Sequence, residues 1–217
     1  MADMRAMVEQ NPILAIFRNV PNEHAVAYAR AVMNGGVRFF EVALNSPGAF
    51  DQIRLLRAAF GQDILLGAGT AVTPDLAQMA MDAGAGFLLT PSAPEPVLAY
   101  CQQHDIPLLP GVMTPTDVQR CLDHGFSTLK LFPAGELPMS YVKSLQGPYD
   151  QTRYMAIGGV SAANAADFLR AGYLAVGLAS ALVPKAALAA CDWDACTRAV
   201  QELVRSVAAC RPSADQT

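Results

Sequence analysis

Short apolar runs alternate regularly with alanine-rich amphipathic segments along the whole sequence. The runs are rich in Ile, Leu, Val and Phe, as is typical of parallel strands buried on both faces. They predict strands at residues 13–18, 37–44, 64–70, 86–91, 106–111, 127–133, 153–159 and 174–180. The segments between and after them predict helices at residues 22–34, 47–60, 73–83, 94–104, 114–124, 138–146, 161–171 and 184–207. Eight strand–helix units in one chain predict an α/β fold of the (β/α)8 TIM-barrel type.

Helix boundaries are marked by capping residues. Asn22, Thr73, Thr114 and Ser161 are candidate N-caps, and glycines follow several of the predicted helices. A doubly wound open sheet is the alternative arrangement of the same units. We observe no linker or change of composition that would divide them, so we expect one barrel over residues 1–210 and a frayed tail at 211–217.

Composition excludes several classes of function. The chain is 53% hydrophobic, has a net charge of −4 and contains no basic tract, so neither nucleic-acid binding nor attraction to anionic membranes is indicated. Its longest apolar stretch, residues 173–183, is too short to span a membrane. The five cysteines lack metal-ligand spacing and are odd in number, which favours reduced thiols in a cytoplasmic protein. His24, His104 and His124 fall on predicted helices and are expected at the surface, so we predict no metal or cofactor.

Two charged residues lie inside apolar strands. Side chains alternate along a strand, so Glu41 in the second run and Lys130 in the sixth can both face the barrel lumen. One interpretation is a structural ion pair, but buried pairs stabilise little compared with apolar residues of similar volume. The other is chemistry: burial lowers the pKa of a lysine and so favours the nucleophilic amine, while a buried carboxyl can transfer protons near neutral pH. We favour the second interpretation.

Small and polar residues at other strand ends indicate a ligand site. In such barrels the active site lies at the carboxyl ends of the strands, and the loops after strands seven and eight often bind phosphate. Gly158, Gly159, Ser161 and Ser180 occupy those two loops and can form an anion cradle, or they can simply form turns. The segment GAGTAVTP at 67–74 lacks the third glycine of a dinucleotide loop. Its glycines and Thr70 suit close approach to a carboxylate, or tight packing of a strand against a helix.

Eight short motifs occur in this order between residues 15 and 186: AIFR, FFEVALNSP, LLGAGT, LTP, PLLPGVMTPTD, LKLFPA, AIGGV and VGLAS. In this combination the chain resembles the class I aldolases of 2-keto-3-deoxy-6-phospho sugar acids, the KDPG/KDPGal aldolase family. The resemblance implies a cofactor-free homotrimer acting on a phosphorylated keto-deoxy sugar acid and on pyruvate. It also implies that Lys130 forms the Schiff base and that Glu41 transfers protons. Thr70 with the turn at 67–69 would bind the pyruvate carboxylate, and Arg18, with Gly158, Gly159 and Ser180, would bind the rest of the substrate and its phosphate.

Two departures from the gluconate-type motif favour the phosphogalactonate branch. Asn45 lies near the position of an arginine, and Ile157 takes the place of a threonine. We therefore predict cleavage of 2-dehydro-3-deoxy-6-phosphogalactonate, in galactonate degradation. The alternative substrates are the gluconate epimer and 4-hydroxy-2-oxoglutarate. Ala179 stands where a glycine is common, so its Cβ can restrict how closely phosphate approaches. A phosphosugar isomerase or epimerase would share the phosphate loops but would need no lysine facing a carboxylate, and a catalytically silent barrel would trap no imine.

Overall fold

A computed structural model describes residues 4–210, and the predicted tail at 211–217 lies outside the described residues. Its strands are parallel and form one sheet in the order β5-β4-β3-β2-β1-β9-β8-β7-β6. In chain order they are β1 Ile13–Phe17, β2 Phe39–Ala43, β3 Leu65–Gly69, β4 Leu88–Leu89, β5 Leu108–Leu109, β6 Gly111–Val112, β7 Thr128–Leu131, β8 Arg153–Ile157 and β9 Ala175–Leu178.

The two ends of this sheet are halves of one predicted strand. β5 pairs with β4, and β6, one residue further on, pairs with β7. Between them Pro110 has no N–H to donate, but its carbonyl oxygen accepts a hydrogen bond from the Lys130 N–H at 2.9 Å. The segment therefore joins both edges and closes the sheet into the predicted (β/α)8 barrel.

Helices cover the outside of the barrel. They are α1 Met4–Gln10, α2 Asn22–Asn34, α3 Ala49–Phe60, α4 Pro74–Asp82, α5 Glu95–Gln103, α6 Pro115–Asp123, α7 Tyr141–Gln146, α8 Ala165–Ala171, α9 Lys185–Ala189 and α10 Trp193–Ala208, with a 3-10 turn at Ala134–Glu136. α1 was not predicted. The single helix predicted at 184–207 is two helices, because the backbone turns at Cys191 with a φ of 53° and α10 begins anew behind its own cap, Asp192.

Two of the four predicted N-caps are confirmed. The Thr73 hydroxyl accepts the Leu76 N–H, and Thr114 forms a reciprocal capping box with Asp117. The predictions for Asn22 and Ser161 were wrong. α2 already includes Asn22, and α8 begins only after Asn164, whose side chain accepts the Ser161 N–H.

Apolar side chains form an outer layer and a lumen layer. The outer layer lies between strands and helices and contains the outward-facing members of each strand, such as Phe40 and Leu129. The lumen layer contains Leu14, Phe39 and Phe87 together with Met4 and Val8 of α1. Since α1 immediately precedes β1, it closes the amino-terminal end of the barrel. The opposite end, where the carboxyl ends of the strands meet, is left for the candidate site.

No helix among residues 4–210 is both long and apolar enough to cross a membrane. All five cysteines are free thiols.

Candidate active site

Lys130 and Glu41 project into the barrel from opposite walls. Glu41 lies on β2 and Lys130 on β7, and three strands separate β2 from β7 in the sheet order. The side chains are 2% and 5% exposed, respectively. Among the described residues no ion pair within 4.0 Å joins them, and Glu41 Oε2 has no hydrogen-bond partner. They therefore do not form the close structural ion pair that was the alternative explanation for two buried charges.

Burial dominates the electrostatics of both groups. It raises the pKa of the Glu41 carboxyl above its ordinary value, and the cations of Lys130 and Arg18 offset that effect only in part. Burial also lowers the pKa of the Lys130 ammonium; the Glu41 carboxylate opposes this shift, and the Arg18 guanidinium adds to it. A larger fraction of Lys130 is thus the neutral, nucleophilic amine near neutral pH than for an ordinary lysine, and Glu41 keeps its proton to a higher pH.

Glycines of β3 make room for the lumen side chains. A Cβ on Gly69 would lie 1.7 Å from Oε1 of Glu41 and 2.3 Å from its Cδ. A Cβ on Gly67 would lie 2.3 Å from the ring of Phe87. Both glycines are therefore required by packing, and Gly69 in particular fixes where the Glu41 carboxylate lies.

Thr70 directly follows Gly69 in a strained conformation. Its φ is 65°, in the left-handed region that a β-branched residue rarely adopts. Such strain is typical of functional sites, where surrounding structure holds the residue in place. After the neighbouring strand β2, Asn45 is exposed, while the adjacent Ser46 is buried and its hydroxyl accepts the Asn19 N–H at 3.1 Å.

A cleft of about 380 Å³ opens at the ends of β1, β7, β8 and β9. We name it the glycine cleft. The residues that line it include Arg18, Phe132, Ile157, Gly158, Gly159, Ser161 and Ser180. The ring of Phe132 connects it to the lysine, because Lys130 Nζ lies 4.9 Å from the centre of that ring. The structure thus brings the predicted phosphate residues together next to Lys130.

Backbone N–H groups in this cleft are available to an anion. Gly158 and Gly159 have φ values of 87° and 74°, and a Cβ on Gly159 would lie 2.8 Å from the Cα of Gly135, so both positions require glycine. The N–H groups of Gly159, Val160 and Ser180 find no hydrogen-bond acceptor among the described residues. Unpaired donors of this kind are what a phosphate requires.

A second cleft, of about 320 Å³, adjoins the first. We name it the α9 cleft; it shares Ile16, Arg18, Ala179 and Ser180 with the glycine cleft. His24 of α2 lines the α9 cleft and is half-buried. We had expected His24 at the surface, and the sequence did not indicate that it lies next to the candidate site. No sequence signal identified His24, because its neighbours in the cleft come from the far end of the chain.

The other two histidines lie at helix ends. The ring of His124 contacts Glu95 and Gln102, and that of His104 packs on Tyr100. Within residues 4–210 no group of three or more His, Cys, Asp or Glu side chains is arranged to hold a metal ion.

Known proteins resemble this chain in both sequence and structure. Residues 4–199 match the family model described as "Aldolase: KDPG and KHG aldolase". The KHG/KDPG aldolase of Escherichia coli strain K12 is 34% identical over 92% of this chain and 93% of its own length. The 2-dehydro-3-deoxy-6-phosphogalactonate aldolase of the same strain is 31% identical over 79% and 84%. A crystal structure of the Legionella pneumophila KDPG aldolase, with pyruvate captured as a covalent carbinolamine, superimposes with a TM-score of 0.86 at 29% identity, covering 93% of this chain and 98% of that one.

Proposed function

Because this chain belongs to the KDPG and KHG aldolase family, and is therefore a class I aldolase, we propose that it cleaves 2-dehydro-3-deoxy-6-phosphogalactonate reversibly to pyruvate and glyceraldehyde 3-phosphate. The observation that carries the proposal is the pair of buried, separated groups in the lumen, Lys130 and Glu41. A lysine kept away from a close carboxylate partner is free to react with a carbonyl.

In the proposed reaction, Lys130 Nζ attacks the C2 keto carbon, and loss of water from the carbinolamine gives an iminium ion. The C3–C4 bond then breaks, and its electron pair moves into the iminium to form an enamine. Glu41, through a water molecule, takes the proton of the C4 hydroxyl, so that C4 leaves as the aldehyde. The enamine is protonated at C3, and hydrolysis releases pyruvate and restores the free amine.

The remaining predicted residues bind substrate in this proposal. Thr70, at the strained end of β3, holds the carboxylate of pyruvate together with adjacent backbone. The phosphate lies in the glycine cleft next to Gly158, Gly159 and Ser180. There it accepts hydrogen bonds from the unpaired backbone N–H groups, and Arg18 supplies positive charge. Asn45, exposed at the end of β2, lies near the position of the gluconate-type arginine.

In this proposal Ile157 determines the preference between the galacto and gluco epimers. The two candidate sugar acids differ only in the direction of the C4 hydroxyl. Ile157 lines the glycine cleft and packs against Gly177, where a Cβ would lie 2.7 Å from Ile157 Cγ1. Its side chain offers no donor or acceptor to a hydroxyl, so it tolerates the galacto epimer and gives the gluco epimer no specific support.

Imine trapping tests the mechanism. Sodium borohydride with pyruvate should inactivate the protein and modify one peptide, the one containing LKLFPAG. Modification of Lys143 or Lys185, the chain's other lysines, would contradict the assignment. Lys130→Ala should fold but neither trap pyruvate nor turn over.

A comparison of both epimers tests the substrate. An unpaired buried hydroxyl costs about 1–3 kcal/mol, so kcat/KM should favour the galacto epimer by roughly 10- to 100-fold. Ile157→Thr should narrow or reverse this preference. The second candidate, the gluco epimer, is favoured by the name of the 34% identical relative. A strong wild-type preference for it would overturn the branch assignment and leave the aldolase mechanism intact.

We also propose a homotrimer, as the family resemblance implies. Light scattering coupled to size-exclusion chromatography measures the assembly directly, and a monomeric mass at micromolar concentration would contradict it.

A further inference from the structure

The α9 cleft has walls that the proposed reaction does not use. Val20, Tyr28, Val183 and Leu188 line it, so its surface is mainly apolar. Its volume of about 320 Å³ lies in the range of small-molecule sites. A phosphorylated three-carbon aldehyde has no apolar part to fill such a space. The cleft therefore fits a ligand with an apolar body.

Cations stand at the rim of this apolar surface. Arg18 and Lys185 are exposed, and among residues 4–210 neither forms an ion pair. No Asp or Glu is present among the described residues that line the cleft. The ligand that fits by charge carries an anionic group at the end of its apolar body.

The His24 ring is held in place at one wall. Cys191 Sγ lies 3.7 Å from its Nε2 and 3.8 Å from its Nδ1, and the ring centre of Trp193 is 6.0 Å away. The wall formed by α2 and the segment after α9 is therefore a packed structure and not a gap between loose side chains.

The α9 cleft is connected to the proposed catalytic residues through Arg18. Arg18 lines both clefts, and its charge lowers the pKa of both Lys130 and Glu41. Ile16, Ala179 and Ser180 form the rest of the shared wall. A molecule in the α9 cleft can thus place its reactive end at this shared wall, beside the glycine cleft.

We propose that the α9 cleft is a second acceptor subsite, which binds aldehydes with an apolar body and a terminal carboxylate for addition to pyruvate. The proposal rests on the aldolase function above, run in the direction of synthesis. C3 of the Lys130-bound enamine forms a bond to the aldehyde carbon, the aldehyde oxygen takes up a proton, and hydrolysis of the iminium releases a 4-hydroxy-2-keto acid. Every electron and proton in this step comes from pyruvate, the aldehyde and water.

The test measures pyruvate consumption with three acceptors: glyceraldehyde 3-phosphate, 4-carboxybenzaldehyde and benzaldehyde. Leu188→Phe narrows the cleft, and Ala186→Phe is its matched control, since Ala186 is exposed on the same helix and does not line the cleft. Lys185→Met removes one of the two rim charges, at an exposed position where the fold tolerates the change. Binding of 4-(hydroxymethyl)benzoate, an unreactive analogue, is measured by calorimetry on each variant.

We expect wild type to use 4-carboxybenzaldehyde with a higher kcat/KM than benzaldehyde. Leu188→Phe should lower kcat/KM for both aromatic aldehydes by about tenfold or more and abolish binding of the analogue. The larger ring would take up space in the cleft that the apolar body of the ligand needs. Lys185→Met should raise the KM for the carboxylated aldehyde alone, by about two- to fivefold, because the charge it removes is exposed. Ala186→Phe should match wild type, and glyceraldehyde 3-phosphate should be unaffected in all three variants.

Three outcomes would overturn the proposal. One is turnover of glyceraldehyde 3-phosphate without turnover of either aromatic aldehyde. Another is an equal loss for glyceraldehyde 3-phosphate in Leu188→Phe, which would make the cleft part of the phosphate site. The third is binding of the analogue that Leu188→Phe and Lys185→Met leave unchanged. Failure of the aldolase function itself is distinguishable, since wild type would then consume no acceptor and trap no imine at Lys130.

Discussion

Gly69→Ala should show whether activity depends on the position of the Glu41 carboxylate, because it displaces this group without changing it chemically. The new Cβ would lie 1.7 Å from Oε1, 2.3 Å from Cδ and 3.0 Å from Cγ of Glu41. Because all three atoms are affected, rotation of the carboxylate group alone cannot relieve the contact. The side chain is 2% exposed, so no open space receives it.

The size of the effect follows from these distances. Heavy atoms need about 3.5 Å to sit in van der Waals contact, so the carboxylate must retreat by roughly 1.5–2 Å. Misplacing a catalytic group by about 1 Å can cost roughly 10²-fold in rate, and we expect kcat to fall by at least that factor. Overpacking should also lower the free energy of unfolding by about 1–3 kcal/mol.

Gly67→Ala provides the matched control. It lies on the same strand and the same face, and its Cβ would meet the Phe87 ring at 2.3 Å, so it carries a similar packing cost without touching Glu41. Steady-state kcat and chemical denaturation should be measured for both variants. We expect comparable losses of stability in the two variants and a large loss of kcat only in Gly69→Ala. Equal kcat values for the two variants would refute the claim that Gly69 positions the carboxylate.

The remaining predictions concern the groups around Lys130. Glu41→Gln removes the carboxylate that raises the Lys130 pKa, so the pH midpoint of imine trapping should move down, while kcat falls by roughly 10²–10⁴; an unchanged midpoint would contradict the coupling. Arg18→Gln removes a cation that lowers the same pKa, so that midpoint should move up. Thr70→Gly relieves the φ of 65° and should raise the free energy of unfolding by about 1 kcal/mol, while loss of the hydroxyl lowers kcat/KM about tenfold. Chemical denaturation measures the stability of Thr70→Gly, and steady-state kinetics measures its kcat/KM. A Thr70→Gly protein less stable than wild type would refute the strain at this position.

The barrel could be predicted because its strands are apolar on both faces. Against such runs Glu41 and Lys130 stand out as charges without a structural reason, and strand alternation then assigns them to the lumen. α1 escaped prediction because it is only seven residues long, which is too short for a clear helical periodicity of apolar residues. Its role depends on Met4 and Val8 reaching the lumen layer, which is a tertiary contact and leaves no periodic signal.

The α9 cleft shows a different limit of sequence reasoning. The rule that barrel sites lie at the carboxyl ends of strands led to Arg18 and Ser180, and it assigned His24, on a helix, to the surface. Yet His24 lies near Cys191, 167 positions away in the chain, because α2 and the segment after α9 flank the adjacent strands β1 and β9. Strand ends therefore locate the groups that we propose act on the reacting bond, because side chains on strands are rigidly supported. The residues that we propose select among aldehydes lie partly on helices beyond the strand ends, and only the packing of distant segments brings them together.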